Sequence, residues 1–126
     1  MMQRYVVMVS ACLEIVVGVI FITVPDVPSV LLFGAKPEGI GMPLARWVGV
    51  GLLALGIAYL PSKAAESPRS AVLGLFVFNA GLAILLACVG VLNAVHGFLL
   101  WPGVVLHAAF TVALLPQLLT SKRVPA

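Results

Sequence analysis

Charge is scarce in this chain. Seven lysines and arginines and four aspartates and glutamates make up 9% of the residues, against 63% hydrophobic, and the mean hydropathy is +1.23. Soluble domains carry about a quarter charged residues, so an ordinary soluble fold is excluded. The basic residues are not gathered either: the formal charge of +3 is scattered over segment ends, which excludes the one-sided basic face of a nucleic-acid binder. Cysteine is limited to Cys12 and Cys88, each inside a different apolar run. Counted along helices, the two lie at depths differing by roughly 15 Å. A disulfide needs Cα atoms within about 7 Å, so both are read as small hydrophobes. Of two histidines only His107 lies deep in an apolar run. Haem held by two axial histidines needs matched depths, and a zinc or copper site needs at least three convergent ligands; the expectation is no metal. No nucleophile, base and orienting group stand at a recognisable spacing, so hydrolase chemistry has no support. The glycines of "GVGLLALG" lie within an apolar run with no strand before them, so they are read as helix contacts rather than a nucleotide fingerprint.

Long apolar runs are what the chain has instead. Four of them, at residues 5–24, 44–60, 71–94 and 98–119, are each about the 20 residues that a helix needs to cross a bilayer. No linker or low-complexity segment separates them. The fold expected is all-α: one integral membrane domain over residues 1–126, an up-down-up-down four-helix bundle joined by short connections. The first run has a basic start at Arg4 but ends "FITVPDVP" with no small-residue cleavage site, so it is expected to be retained. The first connection is the longest and holds four of the nine prolines. In it, Asp26 and Pro28 precede an apolar stretch that ends at Gly34, which predicts a short helix with its own start and stop. It is too short to span and is placed in the outer interface. The middle connection, "PSKAAESPRS", reads as an exposed turn, and "NAVHG" as a tight one in which Pro102 competes to open the fourth helix.

Arg4, Lys63, Arg69, Lys122 and Arg123 fall on one side of this arrangement, and only Lys36 and Arg46 on the other. The positive-inside rule therefore puts both termini and the middle loop in the cytoplasm. Tyr5 and Tyr59 then sit at the inner interface and Trp47 and Trp101 near the outer one. Stripes of small residues, through which membrane helices approach, run along Ser10, Glu14 and Gly18, along Gly41, Ala45 and Gly49, and along Asn79, Ala83 and Ala87.

Glu14 stands in the middle of "VSACLEIVVGV", where a carboxylate costs about 2.5–3.5 kcal/mol on insertion scales. Asn79 and His107 fall at depths that let all three meet in one layer about two turns thick. Glu14 is therefore expected to face inward and to bond His107, Asn79 or both. Two readings stand: an interhelical hydrogen bond that locks the bundle, worth ~0.6–2 kcal/mol, or a proton relay or polar end of a ligand pocket. Arg46 at the outer mouth is either a snorkelling lipid-phosphate anchor or a contact for Glu38, Asp26 or an anionic ligand. His96, in an outer loop, is read as solvated.

"EIVVGVIFITVPDVPSVLLFG" followed by "LARWVGVGLLALGIAYL" resembles the first half of the small bacterial DoxX-like four-helix membrane proteins. The shared features are a polar residue and glycine in the first span, a proline after it, a short apolar element ending in Gly34, and an arginine opening a glycine-rich second helix. The second half is similar in span number and in a histidine on the last helix. The resemblance implies a four-helix bundle in the cytoplasmic membrane and, in some relatives, association with quinone-linked oxidoreductases or thiol-stress complexes. It implies no catalytic residue. The function expected is a non-enzymatic accessory or scaffold subunit of a membrane complex, with no cofactor and with lipid and a membrane protein or a second copy as partners. The alternative is a lipophile- or quinone-binding redox protein in which Glu14 and His107 handle a proton.

Overall fold

A computed structural model describes residues 2–60, 69–92 and 96–120. Among these the chain is helical and has no strand. The helices are α1 (Met2–Thr23), α2 (Asp26–Phe33), α3 (Gly41–Tyr59), α4 (Arg69–Leu92) and α5 (Leu100–Thr120). All but α2 are long and apolar enough to cross a membrane. The expected spans are recovered within a few residues. The fourth opens at Leu100, which puts Pro102 in the first turn of α5, where its missing N–H leaves no intrahelical bond unmade. Most of the middle connection, together with Lys63, Lys122 and Arg123, lies outside the described residues.

Two close antiparallel pairs make up the architecture: α1 with α3, and α4 with α5. Glycine draws the first pair together. A methyl group on Gly18 would stand 2.6 Å from the Leu53 nitrogen and 2.8 Å from the Gly49 oxygen, and one on Gly56 would stand 2.7 Å from the Ala11 oxygen. The backbones of α1 and α3 are thus nearly in contact, as small residues permit in an apolar setting. Gly49 is therefore in the seam as expected, while Gly41 and Ala45 are only half-buried. Gly56, against Ala11 of α1, continues the seam in their stead, because it runs from Gly49 toward the C-terminal end of α3. On α4 the buried face is Val72, Leu75, Asn79, Leu86 and Gly90. Ala83 and Ala87 lie at its half-buried flank.

The two pairs meet through Val7 of α1, Val72 and Leu75 of α4 and Leu114 of α5, which form one buried cluster with Tyr59 of α3 packed against it. Tyr59 is half-buried, and its phenol reaches the Cα hydrogen face of Gly74.

The short helix α2 starts and stops as its residues dictate. Asp26 places a carboxylate in the first turn, where the helix dipole favours it, and makes an ion pair with Lys36 at 3.4 Å. Gly34 closes the helix in the left-handed conformation, φ +73°, with its N–H on the Val30 oxygen at 2.8 Å. Two further terminal carbonyls find donors far along the chain: Gly97 N–H on Leu32 at 3.2 Å and Leu99 N–H on Leu31 at 2.7 Å. Any side chain on Gly97 would run into those same carbonyl groups.

Candidate functional site: a buried polar layer

The buried polar residues of the four long helices lie near one level. Ser10, Glu14 and Asn79 are 0%, 2% and 0% exposed, and His107 is also buried. The cluster of Val7, Leu75 and Leu114 fixes that level. Glu14 lies seven residues beyond Val7, and His107 seven before Leu114 on the antiparallel α5. Each is therefore about 10 Å from the cluster in the same direction. Asn79 is one turn beyond Leu75, about 6 Å. Three helices thus bring their polar residues to one layer above an apolar plug.

Which way Ser10 and Glu14 face follows from α1 itself. The stripe against α3 contains Ala11, Ile15, Gly18 and Ile22. Val7, Ser10 and Glu14 form the adjoining stripe at i, i+3 and i+7, and Val7 belongs to the buried cluster formed with Val72, Leu75 and Leu114. Ser10 and Glu14 are thereby turned to the space between the two helix pairs.

Across that space, Asn79 Nδ2 donates to the Leu75 carbonyl at 2.8 Å. This turns Oδ1 toward α5, where His107 Nδ1 lies 2.8 Å away. Oδ1 can only accept, so Nδ1 carries the hydrogen, and in the neutral ring Nε2 on the far side is a lone-pair acceptor. Asn79 thus selects the tautomer, and it keeps its bond if the ring gains a second proton. Phe78 meets the imidazole edge-on, with centroids 6.2 Å apart and planes at 84°. Thr111 Oγ1 donates to the His107 carbonyl at 2.8 Å one turn later. The ring is thus held by Asn79 and Phe78.

Glu14 faces inward as expected, but it does not join this pair. Among the described residues neither Glu14 Oε1 nor Ser10 Oγ has a hydrogen-bond partner. A carboxyl two turns from Val7 on one pair and an imidazole anchored to Asn79 on the other share a level without a bond between them. Ser10 was legible only as a small residue in a stripe; that its hydroxyl is buried and unpartnered needs coordinates. Arg46 is exposed, and Asp26 pairs with Lys36 instead of with it. His96 is exposed, and Cys12 and Cys88 are free and exposed. Comparison of the chain with protein-family models, curated proteins and solved structures finds no match.

Proposed function

We propose that this chain is a multi-pass protein of the bacterial cytoplasmic membrane, an up-down-up-down four-helix bundle over residues 1–126 with both termini in the cytoplasm. In this reading α2 lies in the outer interface and the molecule is a non-enzymatic accessory or scaffold subunit. One observation carries the membrane assignment: polarity is inverted. Val16, Val50, Ile84 and Val112 expose more than half their surface, while Ser10, Glu14, Asn79 and His107 are buried. In water that arrangement is unfavourable on both counts, whereas in lipid it is the expected one. The orientation rests on five of seven basic residues falling on one side. The likeness to DoxX-like proteins in the first two spans supports the accessory role.

Reporter fusions at the C-terminus test the orientation: a cytoplasmic reporter should be active and a periplasm-dependent one silent, and the reverse result sinks it. For the accessory role, native mass spectrometry in mild detergent should find the chain in a defined heteromeric complex. A monomer or self-oligomer alone would remove that role.

The unpartnered atoms of Ser10 and Glu14 favour a second reading, in which the polar layer binds the head of a lipophile, a quinone among the candidates, and Glu14 and His107 handle its proton.

A further inference from the structure

The two helix pairs are joined to one another unevenly along their length. Toward the end that carries the chain termini, the join is the cluster of Val7, Val72, Leu75 and Leu114, each 5% exposed or less. In the middle, the polar layer contributes the Asn79 bond to His107 within one pair, while Ser10 Oγ and Glu14 Oε1 on the other have no partner among the described residues. At the far end the join is α2. It follows α1 after two residues and packs on both α1 and α5. Its last turn accepts the Gly97 and Leu99 N–H groups on the Leu32 and Leu31 oxygens. Leu32 reaches further: its Cδ2 stands 3.6 Å from where a methyl on Gly103 would lie, next to Leu86 Cδ1 at 3.4 Å. Gly103 is one turn of α5 before His107 and on the same side of the helix. The polar layer therefore lies between an apolar floor and α2.

The floor is firmly packed, whereas α2 is lightly held. It has eight residues, of which Pro28 and Ser29 are the buried ones, and a helix so short does not stand without outside contacts. Elements held by few buried groups are the ones that open locally. Lifting α2 breaks the two bonds from Gly97 and Leu99, and it also lets water reach Ser10 and Glu14. A buried polar group left unmatched costs at least as much as an ordinary hydrogen bond contributes, so the second effect offsets the first. We propose that α2 is a hinged cover: it swings off α5 while still attached to α1 through Val24 and Pro25, and admits water to the polar layer from its own side of the membrane. The cluster of Val7, Leu75 and Leu114 keeps the opposite side shut. The inference rests on the membrane placement proposed above and on no ligand.

The test uses the full chain, with Cys12→Ala and Cys88→Ala, in sealed right-side-out and inverted membrane vesicles. A single cysteine is introduced by Glu14→Cys in the layer or by Val7→Cys in the floor. Its reaction with a membrane-impermeant trimethylammonium methanethiosulfonate is followed by mass spectrometry. Ala35→Cys, exposed just beyond α2, reports which vesicles present the α2 side, so an error in orientation is read separately from a failure of the cover. From that side Glu14→Cys should react. Gly97→Ala, whose methyl would run into the Leu31 and Leu32 carbonyl groups, should speed the reaction at least about tenfold, as the loss of two ordinary hydrogen bonds allows. Val7→Cys should stay unreactive. If Gly97→Ala bares Val7→Cys as well, the whole fold has loosened, and Leu32→Ala, which trims only the side chain over Gly103, decides with the same expectations. Three results overturn the inference: a rate at Glu14→Cys that neither substitution changes, reaction only from the side opposite α2, or equal gains at Glu14→Cys and Val7→Cys in both variants.

Discussion

At the residue scale, the Asn79 and His107 pair and Glu14 behave as opposites. The pair is satisfied, so deleting either member strands the other. Asn79→Leu and His107→Leu should each destabilise the chain by ~1–2 kcal/mol, and a double-mutant cycle in detergent unfolding should give a coupling of ~0.6–1.7 kcal/mol. A coupling of zero would mean that the 2.8 Å bond is not formed under those conditions. Glu14 is unsatisfied, and replacing an unpaired buried polar group with an apolar one of similar shape is neutral or stabilising. Glu14→Met should therefore be at least as stable as the parent when no lipophile is added. A loss above ~1 kcal/mol would restore the lock between Glu14 and a neighbouring helix that the sequence leads one to expect. Depth along each span was enough to place Glu14, Asn79 and His107 in one layer. Which two of the three bond was not legible, because helix rotation and the direction of the Asn79 amide are set by contacts between elements.

At the scale of elements, the seam between α1 and α3 separates two glycines that are two residues apart in the sequence. Gly49 and Gly51 both belong to "GVGLLALG", yet a methyl at Gly49 would stand 2.8 Å from the Gly18 oxygen, while one at Gly51 meets nothing within 4 Å. Gly49→Ala and Gly18→Ala should each cost ~1–3 kcal/mol by overpacking a backbone contact. Gly51→Ala should be neutral or gain up to about 1 kcal/mol from helix propensity. Thermal unfolding of the three variants in one detergent checks this, and similar losses at Gly49 and Gly51 would mean the seam is not where it is described. The sequence announces such a seam by its glycines and alanines. It does not say which of Gly41, Ala45, Gly49 and Gly56 belong to it, since the crossing angle selects them. By contrast the bounds of α2 were legible, because Asp26, Pro28 and Gly34 carry start and stop signals that act within one or two turns.

At the scale of the whole molecule, the exposed apolar surface makes a claim about solvent. Cys12 and Cys88 are on it, so nitroxide labels attached to them in reconstituted protein should collide freely with oxygen and hardly at all with a water-soluble nickel chelate. The opposite accessibility at either site would place that face in water. The four spans were legible because length and hydropathy alone define them. The way they pair was not, since nothing local distinguishes α1 against α3 from α1 against α4. One link crosses the whole chain: the last carbonyls of α2, at Leu31 and Leu32, are closed by N–H groups of Gly97 and Leu99. Those donors are made 65 and 68 residues after the carbonyls they satisfy. During synthesis the end of α2 therefore waits, open, until α4 and α5 are in place. Contacts of such long sequence separation form late, because a large loop must close first. Fastening this clasp is then a late step of assembly, and a chain truncated before α4 would carry an α2 whose final turn is closed by the Gly34 bond alone.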